Sequence, residues 1–331
     1  MSPFRKTSKP RHSRHPVRLA AEPDLTVVVP LFNEAQSLSE LFGEIRSVCG
    51  RERLDFEAVF VDDGSTDGSW DELEALHRKD RRVRAIQFRK NFGKSEALSA
   101  GFAAARGRVV ITMDADLQDD PEEIPNLLGK LEEGFDLVSG WKRKRRDPLS
   151  KRIPSKFFNR TTALLTGLKL HDFNCGLKAY RKEAAKTLNL YGELHRYIPA
   201  LAKWHGFRIA EISVHHRPRK YGRTKYGLSR FLYGMLDLVT VMFLGKFTQR
   251  PLHLFGSIGL LLALGGGGIT LYFVLMRIFN QMYLSRRPFF FIGIVLLILG
   301  IQFVSIGLLG EMITRSNANA RHYSVRRTLE G

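Results

Sequence analysis

Two long apolar runs in the last third of the chain restrict what it can fold into. Residues 254–276 and 288–310 carry no formal charge, and each has the roughly 20 residues that a helix needs to cross a bilayer. The alternative is a helical hairpin buried in a soluble core, which is a weak interpretation for two runs of this length. We predict two membrane-spanning helices within residues 251–313, joined by the short polar link at 277–287.

Basic residues flank this pair on the side of the large amino-terminal region. They are Lys246, Arg250, Arg315, Arg321, Arg326 and Arg327. Their excess predicts a cytosolic position for that region, although three arginines in the connecting link oppose the rule. The first 20 residues lack the apolar core of a secretory signal. We therefore expect a multi-pass protein of the inner (plasma) membrane, with its main domain and a tail at residues 314–331 in the cytosol.

The net charge of +19 predicts anionic partners. Nucleic acid, acidic lipid and phosphorylated substrates all fit this charge, but no nucleic-acid recognition motif accompanies it, so we expect no nucleic-acid partner. Residues 1–22 are interpreted as a disordered basic arm, which anionic headgroups of membrane lipids attract by roughly 1 kcal/mol per basic residue. The two cysteines, Cys49 and Cys175, are too few for a disulfide framework.

Strand-like and helix-like segments alternate through the first two thirds of the chain. Five segments are predicted to be strands: 25–30, 56–61, 83–88, 109–113 and 135–139. Four helical segments are predicted at 35–48, 67–78, 95–105 and from Pro121 onward. This alternation predicts an α/β domain over residues 23–225, in which helices cover both faces of a mostly parallel sheet.

Two further segments have amphipathic patterns. Residues 226–247 place apolar side chains on one helical side and lead directly into the first apolar run. We therefore predict a helix at the membrane surface over residues 226–250. Residues 154–168 fit equally well a surface helix and a helix packed on the core of the α/β domain.

Polar clusters follow four of the predicted strands. They occupy residues 30–34, 62–68, 114–118 and 142–146. The carboxyl ends of parallel strands meet at one crevice, so acidic clusters would face the basic cluster there. Asp114 and Asp116 are one residue apart, and Mg²⁺ typically takes one or two carboxylates plus substrate phosphates. Each cluster alone fits a solvated turn or a helix cap, but together they predict a site for a nucleoside diphosphate.

Several of these motifs resemble one enzyme family. Val-Pro-Leu-Phe-Asn-Glu at 29–34, Val-Asp-Asp-Gly-Ser-Thr-Asp at 61–67 and Asp-Ala-Asp-Leu-Gln at 114–118 resemble inverting family 2 glycosyltransferases. That family has the GT-A fold, a Rossmann-like and mostly parallel sheet. Residues 171–181 and 219–227 are similar to its polyisoprenyl-phosphate subgroup, which includes dolichol-phosphate mannose synthases. The two-helix tail most resembles the bacterial type that loads glucose onto a polyprenyl phosphate, and the Gln-x-x-Arg-Trp motif of processive synthases is absent.

The resemblance implies roles on the donor side. Four residues would hold the nucleoside of a nucleotide sugar: Pro30, Glu34, Asp62 and Asp63. Asp114 would approach the ribose or the metal, and Asp116 would bind Mg²⁺ or Mn²⁺ on the diphosphate. Gln118 would lie beside the metal or the sugar, whereas Lys94 would reach a donor phosphate or lie on the surface.

The resemblance also implies an acceptor site. Four residues would hold the lipid phosphate: Lys151, Ser155, Arg219 and Lys225. Lys151 stands where the family often has arginine, which keeps the charge but loses bidentate geometry. A basic loop near acidic headgroups is the alternative for Arg219 and Lys225. Asp172 matches a residue often treated as catalytic, and we expect it to orient Arg181 or the acceptor, with a structural turn as the alternative.

The function implied is inverting transfer of a sugar from a nucleotide sugar to polyprenyl (undecaprenyl) phosphate at the cytosolic membrane face. UDP-glucose is the favoured donor. Transfer of mannose, an aminosugar or a modified arabinose to the same lipid phosphate is the nearest alternative. A catalytically inactive membrane scaffold is the alternative from another class. Membrane-tethered relatives lead us to expect a homo-oligomer.

Overall fold

The computed structural model describes residues 22–143, 159, 162–163, 166–218, 220–221, 251–280, 283–284, 287–316 and 325–329. The predicted basic arm, except Glu22, and the predicted surface helix at 226–250 lie outside these residues. Of the segment 154–168, residues 159, 162, 163 and 166 are helical. Thr162 is buried and Leu168 packs against the domain core, so the carboxyl end of this segment contacts the α/β domain.

A single eight-stranded sheet organises the described part of the α/β domain. Its strands are β1 (Leu25–Leu31), β2 (Phe56–Asp62), β3 (Val83–Phe88), β4 (Val109–Thr112), β5 (Leu137–Trp141), β6 (Lys178–Arg181), β7 (Ile209–Ser213) and β8 (Val325–Leu329). Their order is β7-β5-β6-β4-β1-β2-β3-β8. The four strands from β4 to β3 are mutually parallel, while β6 is antiparallel to both its neighbours. The mostly parallel sheet that the alternation predicted is confirmed.

Helices cover both faces of this sheet. They are α1 (Ala35–Arg51), α2 (Ser69–Lys79), α3 (Lys94–Ala104), α4 (Ile124–Glu132), α5 (Lys182–Thr187) and α6 (Ile198–Trp204). Val27 and Val29 of β1 pack with α1 and α2 on one face, whereas Val28 packs with α3 on the other. Because both faces are covered, β1 reads as a continuous apolar run rather than as an alternating one.

The direction of the chain reverses next to β1. The chain passes from β1 outward to β2 and β3, and then returns to the other side of β1 to form β4. The loops after β1 and β4 consequently diverge and leave a crevice at the carboxyl edge of the sheet, where α/β proteins bind ligands.

The edge strand β8 comes from the end of the chain. Residues 325–329 pair with β3 in the antiparallel direction, with Leu329 opposite Ala85 and Arg327 opposite Gln87. This strand covers an edge that would otherwise expose unpaired backbone groups. The sequence predicted only a cytosolic tail at 314–331, because a five-residue strand with two arginines has no local pattern that marks it.

Two long helices, α7 (Pro251–Asn280) and α8 (Pro288–Ser316), form an antiparallel hairpin. By length and composition both are apolar enough to cross a membrane, and large outward side chains such as Leu261 and Phe279 are mostly exposed. Their contact face carries glycine at 259 and 266 on α7 and at 293 and 300 on α8. A Cβ at Gly300 would lie 2.5 Å from the Ala263 nitrogen and 2.6 Å from the Gly259 oxygen, so the two backbones touch directly.

This contact predicts that Gly300→Val separates the helices, because a side chain there meets backbone atoms that cannot give way. Overpacking of this kind costs about 1–3 kcal/mol. We expect the full-length protein in detergent to aggregate at a lower temperature, measured by light scattering. Gly268→Val is the matched control, because a Cβ at that position meets no atom within 4 Å apart from its chain neighbours and the nearby backbone of its own helix. Equal aggregation temperatures for the two variants would contradict the packing.

Candidate active site

A cleft of about 260 Å³ opens at the carboxyl edge of the sheet, between the loops after β1 and β4. Its walls include five residues singled out from the sequence: Pro30, Glu34, Asp63, Asp114 and Asp116. A sixth residue singled out from the sequence, Lys94, is the first residue of α3 and also lines the cleft. The crevice at the chain reversal therefore gathers side chains from four separate strand ends.

Asp114 is the residue of the cleft most surrounded by positive charge. Its Oδ1 atom accepts a hydrogen bond from Lys94 Nζ and forms an ion pair with it. Burial favours the neutral acid, but the charges of Lys94, Lys142 and Lys178 outweigh it and hold the pKa of Asp114 well below its usual range. A Cβ at Gly176 would lie 2.6–2.8 Å from the carboxylate atoms of Asp114, so only glycine allows this approach.

Asp116 projects into the cleft because of a tight turn behind it. Its Oδ1 accepts a hydrogen bond from the Gln118 backbone N–H at 3.2 Å. Leu117 has φ +61°, which is unusual for a residue other than glycine, and its side chain is buried in the core. The turn thus directs one apolar side chain inward and the preceding carboxylate outward. Gln118 lies beside Asp116, and its backbone oxygen accepts from the Arg217 N–H.

Buried ion pairs support the loop that carries these aspartates. Asp119 Oδ2 accepts the Asp114 backbone N–H at 3.1 Å, and Asp119 Oδ1 lies 2.9 Å from Lys142 Nζ. Burial opposes the charge of Lys142, but the neighbouring Asp119 raises the pKa of that lysine above its usual value. Lys178 is buried as well and donates to the Cys175 oxygen. The sequence placed Lys142 in a basic run for phosphate, and it did not mark Asp119 or Lys178.

The adjacent residues Asp62 and Asp63 have different surroundings. Asp62 is fully buried below the cleft, where it accepts the Ser65 N–H at 2.9 Å and the Gln87 Nε2 amide at 3.2 Å. Asp63 lines the cleft and accepts the N–H groups of Phe92 and Gly93 at 2.7 and 2.9 Å. Burial raises the pKa of Asp63 to about 6. Asp63 therefore anchors the loop that leads into Lys94.

Glu211 on β7 holds the loop that contains Asp172. Its carboxylate accepts the backbone N–H groups of His171 and Asp172, both at 2.9 Å, and lies 2.7 Å from His171 Nδ1. The His171 ring stacks on Trp141 with 4.1 Å between centroids. Asp172 is itself buried and accepts the Asn174 N–H.

The structure does not support orientation of Arg181 by Asp172. Arg181 pairs with Val109, at the start of β4. It therefore lies at the edge of the sheet opposite the cleft. Its guanidinium donates to the oxygens of Leu131 and Phe135, and it lies near Asp136. The sequence could not separate the two edges because β6 runs antiparallel to β4, which reverses the direction in which its residues approach the site.

Residues 215–217, which follow β7, contact the acidic loop, defined as residues 113–120 after β4. His216 bridges Asp119 through the backbone, and His215 Nδ1 lies 3.1 Å from Asp120 Oδ2. Arg217 donates to Glu44 at 2.8 and 2.9 Å and to Asp120 at 2.6 Å. Through Arg217, these contacts join α1 and the acidic loop to the start of the basic segment at residues 217–225.

All four residues predicted to bind the acceptor phosphate lie outside the described residues. They are Lys151, Ser155, Arg219 and Lys225. Lys220, next to Arg219, donates to Glu40 of α1 at 2.7 and 2.8 Å. Together with Arg217, this contact fixes the chain on both sides of Arg219 against α1.

The cleft fits a divalent cation bound together with a phosphorylated ligand. Asp114 and Asp116 supply two carboxylates, and among the described residues no group of three His, Cys, Asp or Glu side chains could hold a metal by itself. A site with two carboxylates leaves coordination positions for phosphate oxygens and water, which is how Mg²⁺ usually binds with nucleotides. The two carboxylates are thus compatible with a divalent cation that is bound together with a diphosphate.

The fold is of the GT-A type. Crystal structures of glucosyl-3-phosphoglycerate synthase from Mycobacterium tuberculosis, including one with Mn²⁺ and UDP-glucose, are similar in fold. The comparison of this chain with that complex gives a TM-score of 0.53 at 21% sequence identity. It covers 68% of this chain and 79% of the synthase chain. The complex with phosphoglyceric acid gives a TM-score of 0.53 at 20% identity, over 68% and 80% of the two chains.

Sequence similarity gives the family. Residues 26–188 match the family model described as Glycosyl transferase family 2. A dodecaprenyl-phosphate galacturonate synthase from Rhizobium johnstonii is 38% identical over 314 residues, which are 91% of this chain and 92% of that protein. The chain belongs to glycosyltransferase family 2, and the resemblance in its motifs is confirmed.

The raised pKa of Asp63 predicts a pH dependence of folding. Its pKa of about 6 lies above the ordinary aspartate value of 3.8, so the folded state holds this proton more tightly than the unfolded chain does. The resulting stability is complete below about pH 4 and is lost as the pH rises through about 6. We expect the Tm of the wild type to fall relative to that of Asp63→Asn over this range, measured by differential scanning fluorimetry. A constant Tm difference would contradict the raised pKa.

The contacts of Glu211 predict that Glu211→Ala destabilises the domain. The N–H of the buried residue Asp172 would lose its acceptor, at about 1–3 kcal/mol for a group left unsatisfied when buried. The N–H of His171, an exposed residue, would lose the same acceptor but can bond to water instead. We expect Glu211→Ala to lower the Tm by several degrees. Glu211→Gln keeps one acceptor oxygen and should lower the Tm less. The matched control is Glu133→Ala, because that side chain is 56% exposed and pairs only with Lys130 among the contacts described. Equal Tm values for Glu211→Ala and the control would exclude the anchoring role.

Proposed function

We propose that this chain transfers a sugar, with inversion, from a nucleoside diphosphate sugar to a polyprenyl phosphate at the cytosolic face of a membrane. The observation that carries the proposal is the combination of an acidic GT-A cleft and an apolar helical hairpin in one chain. The similarity to a dodecaprenyl-phosphate galacturonate synthase over almost the full length of both proteins supports the lipid-phosphate acceptor.

The sugar we propose is a hexuronate, with galacturonate as the first candidate. The sequence favoured glucose from overall likeness, whereas the name of the relative favours galacturonate. UDP-glucose remains the donor to compare.

On the donor side, we propose that Asp114 and Asp116 hold Mg²⁺ or Mn²⁺, with Gln118 beside them. A bound divalent cation stabilises the negative charge that accumulates on the leaving nucleoside diphosphate. Pro30, Glu34 and Asp63 line the part of the cleft proposed for the nucleoside. Asp62 would act from below, by holding the turn that follows β2.

On the acceptor side, we propose that Lys151, Ser155, Arg219 and Lys225 bind the lipid phosphate. The phosphate oxygen that attacks the anomeric carbon is already anionic at neutral pH, so the chain need not supply a strong base. Its task is to bring two anionic substrates together, which positive side chains achieve by offsetting repulsion and orienting the attack. One displacement at the anomeric carbon inverts its configuration.

The proposal predicts a specific lipid product. Full-length protein in detergent, supplied with undecaprenyl phosphate and Mn²⁺, is incubated separately with UDP-galacturonate, UDP-glucose, UDP-glucuronate and GDP-mannose. Mass spectrometry of the lipid fraction identifies the product. We expect a hexuronosyl phosphate lipid with UDP-galacturonate and little product with the neutral sugars. A hexosyl lipid from UDP-glucose would refute the uronate, and no lipid product from any donor would favour the inactive scaffold.

Two variants separate the donor and acceptor roles. Asp116→Asn removes a carboxylate proposed to bind metal, and we expect it to abolish turnover and Mn²⁺ binding together. Lys225→Ala should raise the KM for undecaprenyl phosphate and leave UDP binding unchanged. Equal loss of donor and acceptor binding in Lys225→Ala would contradict its assignment.

A further inference from the structure

The ion pair between Lys94 and Asp114 occupies the donor end of the cleft. Lys94 begins α3, and its ammonium contacts Asp114 Oδ1 directly. Both side chains are about one third exposed, at 34% and 32%. The pair therefore lies at the cleft wall, accessible to a ligand, and not in the core below.

The other two lysines near Asp114, Lys142 and Lys178, have hydrogen-bond or ion-pair partners of their own. Lys142 is paired with Asp119 at 2.9 Å, and both side chains are almost buried. Lys178 is buried, donates to the Cys175 oxygen and lies within the field of Asp172. Among these three lysines, Lys94 alone has its ammonium on the carboxylate of Asp114 itself. The contact is also the most exposed of the three and the easiest for a ligand to displace.

The backbone on both sides of Lys94 is held by hydrogen bonds. Asp63 accepts the N–H groups of Phe92 and Gly93, and His195 Nδ1 lies 3.0 Å from the hydroxyl of Ser95, the residue after Lys94. The backbone on both sides of Lys94 is thus fixed, while its side chain remains long enough to move from one anion to another within the cleft.

We propose that Lys94 is a resident counter-ion that keeps free divalent cations from Asp114 until a nucleoside diphosphate enters with them. The inference rests on the proposed function of Asp114 and Asp116 as metal ligands. A cation that arrives alone must displace an ammonium from Asp114 with no new anion to receive it. A cation that arrives with a diphosphate brings phosphate oxygens to which the ammonium transfers. Cation and nucleotide therefore bind with positive coupling, a property that is reciprocal between the two ligands.

The coupling is measured by binding of Mn²⁺ to the full-length protein in detergent, followed by electron paramagnetic resonance with and without UDP. For the wild type we expect UDP to tighten Mn²⁺ binding by about tenfold or more, within the range typical of coupled sites. Lys94→Met should bind Mn²⁺ about tenfold tighter than the wild type when UDP is absent, and the added effect of UDP should shrink by a similar factor. Lys94→Arg keeps the charge and should behave like the wild type.

Lys90→Met is the matched control. Lys90 belongs to the same loop, is exposed, and its ammonium lies over the Phe92 ring at 5.1 Å rather than on an acid of the cleft. Lys90→Met loses one positive charge, as Lys94→Met does. An Mn²⁺ affinity equal to that of the wild type in Lys90→Met would therefore exclude a general effect of net charge. Tm values of all variants verify folding.

The outcomes distinguish this inference from the proposed function. If the wild type binds Mn²⁺ with UDP but Lys94→Met shows the same or weaker nucleotide-free Mn²⁺ affinity, the counter-ion role is overturned and the metal site stands. If Lys90→Met tightens Mn²⁺ binding as much as Lys94→Met does, the role is also overturned. If the wild type binds no Mn²⁺ even with UDP, the proposed metal ligands fail together with the inference.

Discussion

The loop after β4 is attached to its neighbours through its own carboxylates, Asp119 and Asp120. The rest of the site depends on the contacts that these two side chains make. Asp119 accepts the backbone N–H of Asp114 and pairs with Lys142 at the end of β5. Asp120 binds Arg217 and His215, which follow β7. The pair of Asp119 and Lys142 is buried, and the loss of one partner from a buried pair is strongly destabilising. The two aspartates consequently fix, relative to one another, three strand ends that are far apart in the sequence.

This attachment has a consequence for the two substrates. The same short loop carries the proposed metal ligands Asp114 and Asp116 and contacts the segment that leads to Arg219. Arg217 bridges Asp120 to Glu44 on α1, and α1 begins immediately after the cleft residue Glu34. The donor cleft and the start of the proposed acceptor stretch therefore share a rigid support, as two anionic substrates require when they must meet at a defined distance.

The helical hairpin of α7 and α8 is joined to the sheet at two places in the chain. Eight residues separate Ser316, at the end of α8, from Val325, which pairs with Phe88 at the carboxyl end of β3. An extended chain rises at most about 3.6 Å per residue, so this connection limits the end of α8 to about 30 Å from that edge. The cleft opens at the same edge, which keeps it close to the end of a helix able to cross a bilayer.

The amino-acid sequence by itself determined the alternating elements, the two apolar helices and the acidic motif, because each depends on local periodicity or on residues next to one another. Tertiary structure alone decided which neighbouring residue enters the cleft. Asp62 and Asp63 are adjacent, yet Asp62 is buried below the cleft whereas Asp63 lies in the cleft wall. Glu211 in β7 and the strand β8 gained their roles from partners more than 30 residues away. Such partners leave no local pattern, because burial and charge pairing depend on where the whole chain brings them.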